Sequence, residues 1–421
     1  MWQTQLKGRH ANDLLLDYIF RGLLMGALFN PDDVFWGELG GCMESLDGGV
    51  TTIVDHAHIN NSAEHSPSAL LATVASGIRS YFCYSPVPWF TVASWAPFRL
   101  DTDAEPLPDW AMRQLADLAA TQPFGNGRVR LGVAFDAYYL PKDVVVSLFE
   151  NTRRLGVKLF TSHYVRNPLL GPHSVVNILD SYGLLKDDIL LSHANQAFDE
   201  DAAQLVAKNA HVSATPDTEL QMAHGTPVCF RPDLHKISSL GIDCHSNNSG
   251  DILSQMRLAL QSARGTANQR FVDQWKLPQT VAATVEQAFN LGTIMGARAV
   301  GMGSEIGSIA VGKLADIVVF DAQSPAMICV AEEDPVAAIV MHASVRDIET
   351  VIVDGRIRKS GGKLAPAEAP EGPVEWPQVA AKLLQSRKRM QETMETADMV
   401  GAKKTIIERF HIDERVIVEH L

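Results

Sequence analysis

The chain has 421 residues, 46% of them apolar and 20% charged, with a net charge of −13 at pH 7. That length exceeds a single barrel-sized unit of roughly 250 residues, and no block is poor enough in apolar residues to stay unfolded. The negative balance, without a basic stripe interleaved with aromatics, argues against nucleic acid as a partner.

The five cysteines (Cys42, Cys83, Cys229, Cys244 and Cys329) are scattered and never paired as C-x-x-C. Neither a disulfide framework nor a thiolate metal site follows, which favours a reducing compartment. The first ten residues lack the apolar stretch of a signal peptide, and no run of eighteen apolar residues occurs anywhere. The expectation is a cytoplasmic protein with no membrane contact.

Residues 11–28 carry a helix-like pattern with no convincing strand before it. Seven strands are then predicted, at residues 51–55 (TTIVD), 78–84 (IRSYFCY), 128–136 (RVRLGVAFD), 157–163 (VKLFTSH), 188–193 (DILLSH), 211–215 (HVSAT) and 239–243 (SLGID), with helical patterns between them. This alternation is the rhythm of βα units around a parallel sheet. A helical stretch at 281–300 follows, then short strands within 307–321 and 345–358, a Pro-rich segment at 365–375 read as a linker, and an amphipathic helix at 376–396. The predicted fold is α/β, a (β/α)8-type barrel apparently lacking its first strand. It spans residues 1–305, with a small partial β-sandwich at 306–364 and a linker and helical tail at 365–421.

In such a barrel the carboxyl ends of the strands open onto one face, where the active site lies. His163, His193 and Asp243 each close a predicted strand, so topology alone brings them together. Two imidazoles and a carboxylate on rigid elements, with a position left for water, are what a hydrolytic zinc requires. Singly, each has a plain reading as a satisfied polar group at a strand end. Three at strand ends of one barrel weaken that reading.

His56 and His58 form a His-x-His pair, and alternate residues leaving a strand point to one side. A metal pair and a polar loop at the barrel mouth are both consistent with it. A pair on the neighbouring strand is displaced by about 4.8 Å, more than twice a zinc–nitrogen bond. The expectation is therefore that at most one of the two lines the pocket, with His58 the better substrate contact. Ser246-Asn247-Asn248-Ser249-Gly250-Asp251 is a turn-rich loop that would place amides such as Asn247 over the pocket.

Taken in order, residues 157–163, 188–193, 213–222, 241–251 and 307–321 resemble the amidohydrolase superfamily, closest to the branch of cytosine deaminase and the triazine chlorohydrolases. The likeness covers about residues 2–360. It implies that His163 binds metal, that His193 binds metal or the attacking water, and that Asp243 binds metal and takes the water's proton. It implies, less directly, a substrate-contacting role for Glu219.

Two departures stand out. Residues 2–8 (WQTQLKG) look like the segment just after the family's first-strand His-x-His pair, which implies that the pair lies upstream of Met1 or does not exist. Many relatives also carry a Glu shortly after the fifth-strand His, where this chain has Tyr164-Val165-Arg166-Asn167. Three readings remain open. The first is hydrolysis of a non-peptide C–N bond (amide, amidine or amino-heterocycle) of a small molecule by water activated on one divalent metal, zinc in the first instance. The second is a catalytically silent relative acting as a binding partner. The third is a site in which His56 and His58 replace the missing pair, or one that works without metal. An open parallel edge also predicts lowered stability unless a substitute segment or a homo-oligomer covers it.

Overall fold

The computed structural model describes residues 1–88 and 91–419. Seven parallel strands form one curled sheet: β1 (Thr52–Ala57), β2 (Arg79–Tyr84), β3 (Val129–Ala134), β4 (Phe160–Tyr164), β5 (Ile189–His193), β6 (His211–Ala214) and β7 (Ser238–Leu240). They pair in chain order, and among the described residues no strand lies between β7 and β1. All seven predicted strands are present, and the anticipated opening is where the sequence placed it. The strands are rich in Val, Ile, Leu and Phe because both faces of a parallel sheet are covered.

Register explains what points inward. His56 lies beside Cys83 across β1 and β2. Val54, Tyr81, Cys83, Ala134, Leu159 and Leu190 make a buried cluster with Ala297, Ala299, Val300, Met302 and Ile306. The segment after the last barrel strand thus plugs the barrel, which compensates part of the packing an eighth strand would supply. Residues 281–300, read as one helical stretch, form two short helices, Val285–Leu291 and Ile294–Ala299. The break falls at Gly292 and Thr293.

Three elements differ from expectation. Helix Pro31–Asp47 is the main support of the N-terminal region; Asn30 and Asp33 close a reciprocal capping box and Pro31 starts the first turn. The Pro-rich stretch is no free linker. Ala367–Ala369 and Gly372–Val374 pair as a hairpin, and Ala367 is buried with Leu39, Met43, Ala72, Val379 and Leu383. Helix Trp376–Met394 packs on Pro31–Asp47 as a docking helix should, and a second helix, Met399–Arg409, follows it. The small appendage is a four-stranded antiparallel sheet, β8 (Ile317–Phe320), β9 (Ile348–Val353), β10 (Arg356–Ser360) and β11 (Lys363–Leu364). Among the described residues no helix is long and apolar enough to cross a membrane.

Candidate active site

The strand ends open into a cavity of about 2370 Å³. His56, His58, Asp136, His163, His193, His224 and Asp243 line it, and so do Arg409, Phe410 and His411 from the chain's last helical segment. It continues to Ile53, Val54, Ser239 and Leu240 on the two edge strands of the sheet. Its breadth follows from the opening between β7 and β1.

The ligand atoms of His163, His193 and Asp243 all lie within 4.8 Å of one another. The two rings are nearly parallel, with centroids 5.8 Å apart. Each imidazole is held from behind. His163 Nδ1 donates to Asp136 Oδ2 at 2.8 Å, and the other Asp136 oxygen accepts the His163 backbone N–H at 2.7 Å. Thr215 Oγ1 and Glu219 Oε1 stand 3.0 and 3.4 Å from His193 Nδ1. With each Nδ1 engaged, each Nε2 is left for a cation. A carboxylate behind a ligating imidazole fixes its tautomer and raises its basicity.

His193 closes β5 in register with Tyr164, whose hydroxyl turns outward and donates to Asp201. Simple alternation would send His193 outward too. Instead His193 and Ala194 adopt left-handed backbone, with φ of 76° and 57°, and the imidazole meets the cavity. Asp243 is likewise left-handed at 61°. Non-glycine residues in this region are costly and concentrate at functional sites.

The electrostatics are those of an interlocked set. Burial would raise the Asp136 carboxyl, but the His163 and His56 imidazoles outweigh it and hold the group well below the usual carboxylate range. Burial would lower His163, yet Asp136, with a smaller contribution from Asp243, raises it to about 9. Asp243 is exposed through the cavity onto which its carboxylate opens, with protein packed around its other sides. Burial pushes it up, and His193, His163 and His224 together hold it below the ordinary value. Burial and the neighbouring His56 lower His58 to about 4. Burial and His193 lower His224 to about 3.

Both His56 and His58 line the cavity, which corrects the expectation that at most one would. Strand spacing alone misjudged the reach of an imidazole across a barrel interior. His56 Nδ1 meets Thr161 Oγ1 on β4 at 2.8 Å, and its Nε2 lies 3.1 Å from Asp136 Oδ2. His56, Asp136 and His163 form a second set with ligand atoms within 4.8 Å. There the carboxylate already stands between the two imidazoles and satisfies both, whereas Asp243 faces open nitrogens. His58 Nδ1 meets the His56 carbonyl at 2.9 Å.

Glu219 and Asn247, expected to touch substrate, are placed elsewhere. Glu219 is fully buried behind His193, where its Oε1 also accepts the Thr215 N–H at 2.7 Å. The Asn247 amide points to Cys244 Sγ, 2.7 Å away. Helix Pro216–Gln221 starts directly after β6, which turns Glu219 back towards the strand ends. Asp136 and His224 were missed. Asp136 carried the same signal as Asp243, a carboxylate closing a strand; His224 stands in a loop with no periodicity to mark it.

The set suits a divalent cation, since two imidazoles with free nitrogens opposite a carboxylate are a zinc-type donor set with room for water. The profile of the amidohydrolase family matches residues 6–358. The chain belongs to the amidohydrolase family. Solved structures with the same fold include an adenosine deaminase from Xanthomonas campestris with bound zinc, 19% identical, TM-score 0.75, covering 93% of this chain and 83% of that one. Atrazine chlorohydrolase from Arthrobacter aurescens complexed with zinc has a TM-score of 0.74 at 16% identity, over 92% and 85% of the two chains. In sequence, a 5-methylthioadenosine/S-adenosylhomocysteine deaminase from Acetivibrio thermocellus is 26% identical over 362 residues, 82% of this chain and 76% of the relative. The anticipated family holds, with deaminases among its relatives in sequence and a triazine chlorohydrolase sharing its fold, and this amidohydrolase is a small-molecule, metal-dependent hydrolase of C–N bonds.

Proposed function

We propose that the protein deaminates an amino-substituted nitrogen heterocycle of the aminopurine class, using one zinc ion held by His163, His193 and Asp243. The observation that carries this reading is the approach of those three ligand atoms within 4.8 Å, with both Nδ1 atoms already engaged. The deaminase relatives support the substrate class.

A divalent cation held by these residues would supply Lewis acidity for the activation of water. Asp243, held in its ionised form, accepts the proton of the attacking water as general base. His193 would complete the ligand set with His163 and Asp243. Asp136 and Glu219 keep the two imidazoles in the tautomer that leaves Nε2 to the cavity. Asp243 then passes that proton to the leaving amine, and ammonia departs as the carbon–nitrogen bond breaks.

The test is ammonia release from a panel of aminopurine nucleosides and aminotriazines by zinc-loaded protein, with the Asp243→Asn variant alongside. Turnover of an aminopurine by the parent and its loss in the variant are expected. Equal turnover in the two, or none on any amino-heterocycle, overturns the reading.

A further inference from the structure

His224 is 4% exposed, yet its ring lines the cavity. Neither ring nitrogen has a hydrogen-bond partner among the described residues. A buried donor without a partner is costly, and native structures rarely leave one so without a ligand or water to meet it. The ring stands 5.0 Å from that of His193 at 84°, edge to face rather than stacked with the ligand imidazoles. It is near enough to Asp243 to act on its charge.

The position is built rather than incidental. The His224 N–H donates to the Glu219 carbonyl at 3.0 Å, and the His224 carbonyl accepts from Gln196 Nε2 at 3.3 Å. Gly225 turns the chain at φ 112°, where an added Cβ would come within 2.7 Å of that same amide nitrogen. The polar side chains behind and beside the ligand imidazoles are engaged. Asp136 and Glu219 back the imidazoles, Tyr164 is bonded to Asp201, and Arg166 reaches the Pro172 and Gln196 carbonyls.

We infer that His224 recognises substrate, donating a hydrogen bond to a ring nitrogen next to the carbon under attack. The pocket then selects planar heterocycles with an N=C–NH2 edge over simple amides. A neutral imidazole carries one N–H, and the tautomer with that proton on the nitrogen facing the ligand makes His224 a donor there. A site built around such a bond rejects an isostere that cannot make it, because the buried group is left unpaired. This rests on the deaminase reading and adds the residue that decides which C–N bonds are accepted.

The experiment is calorimetric binding of purine riboside and 1-deazapurine riboside, neither of which has an amino group to lose, to the zinc-loaded parent and to His224→Phe and His224→Gln. The parent should bind purine riboside roughly tenfold more tightly than its 1-deaza analogue, the weight of one net hydrogen bond. His224→Phe should erase the preference at unchanged zinc content, and His224→Gln, which keeps a donor, should retain part of it. As a readout independent of any variant, a His224 ring ¹⁵N resonance should shift with purine riboside and not with the 1-deaza analogue. A preference that survives in His224→Phe, or equal binding of the two ligands by the parent, overturns the inference. Equal binding with aminopurine turnover intact would leave the deaminase reading standing, with a water as the partner of His224. Absence of both binding and turnover would remove the two together.

Discussion

His163 and His193 face the same cavity as His58 and His224 but are built differently. Behind each of the first two stands a carboxylate, Asp136 or Glu219. His58 instead meets a backbone carbonyl, and neither nitrogen of His224 has a partner among the described residues. A carboxylate behind an imidazole makes the far nitrogen a better electron donor, which suits a cation. Without one, burial keeps the ring neutral, as in His58 and His224, and suits it to hydrogen bonding with an uncharged ligand. What lies behind a histidine therefore assigns it, more than its nearness to the cavity does.

The comparison is broken most severely at the group both imidazoles face. Asp243→Asn should lower turnover by at least a hundredfold, since an amide can neither accept the water's proton nor give a cation an anionic ligand. The melting temperature should hold or rise, because a left-handed backbone tolerates Asn. Ammonia release beside a thermal melt checks both, and a variant that keeps most of its rate removes Asp243 from the role of base.

Asp136→Asn comes next. It keeps the shape but weakens the acceptor behind His163, and zinc affinity should fall by about 10–100-fold. Competition with a chromogenic chelator measures it; an unchanged affinity would mean that Asp136 only packs.

The same pair predicts a pH effect in metal-free protein. His163 is raised to about 9 when folded, above its ordinary 6.5, so the stability it contributes is full below about pH 6.5 and is lost as pH rises through 9. The melting temperature of chelated protein should decline across that interval, and the decline should shrink in Asp136→Asn. A flat profile in the parent would show that the His163–Asp136 pair is not ionic.

The smallest effect is expected at the unsupported end. His58→Asn should leave zinc affinity within about twofold and change KM by only a few-fold, the scale of one weak contact. Loss of zinc in this variant would place His58 among the ligands and erase the distinction between the two kinds of histidine.

Much of this was legible in the sequence because barrel topology turns a strand-end residue into a site residue. His163, His193 and Asp243 were marked by apolar runs that stop at a His or an Asp. Asp136 closes the predicted strand 128–136 and bore the same mark, a carboxylate at a strand end. Glu219 carried a correct polar signal and the wrong direction, since which way a side chain points after a strand depends on how soon the next helix begins. His224 and the cavity-lining Arg409–His411 left no trace in periodicity: their places depend on a turn at Gly225 and on the docking of a distant helix. The hairpin at 367–374 was hidden by prolines, which suit an edge or a turn as readily as a linker.

The central claim is that supported imidazoles and Asp243 hold one cation, and metal analysis of purified protein tests it most directly. The parent, loaded with zinc and freed of excess, should carry about one zinc per chain. His163→Ala and His193→Ala should each carry little, and His224→Phe should carry as much as the parent. A parent that binds no zinc, or a His163→Ala that retains a full equivalent, would contradict the account.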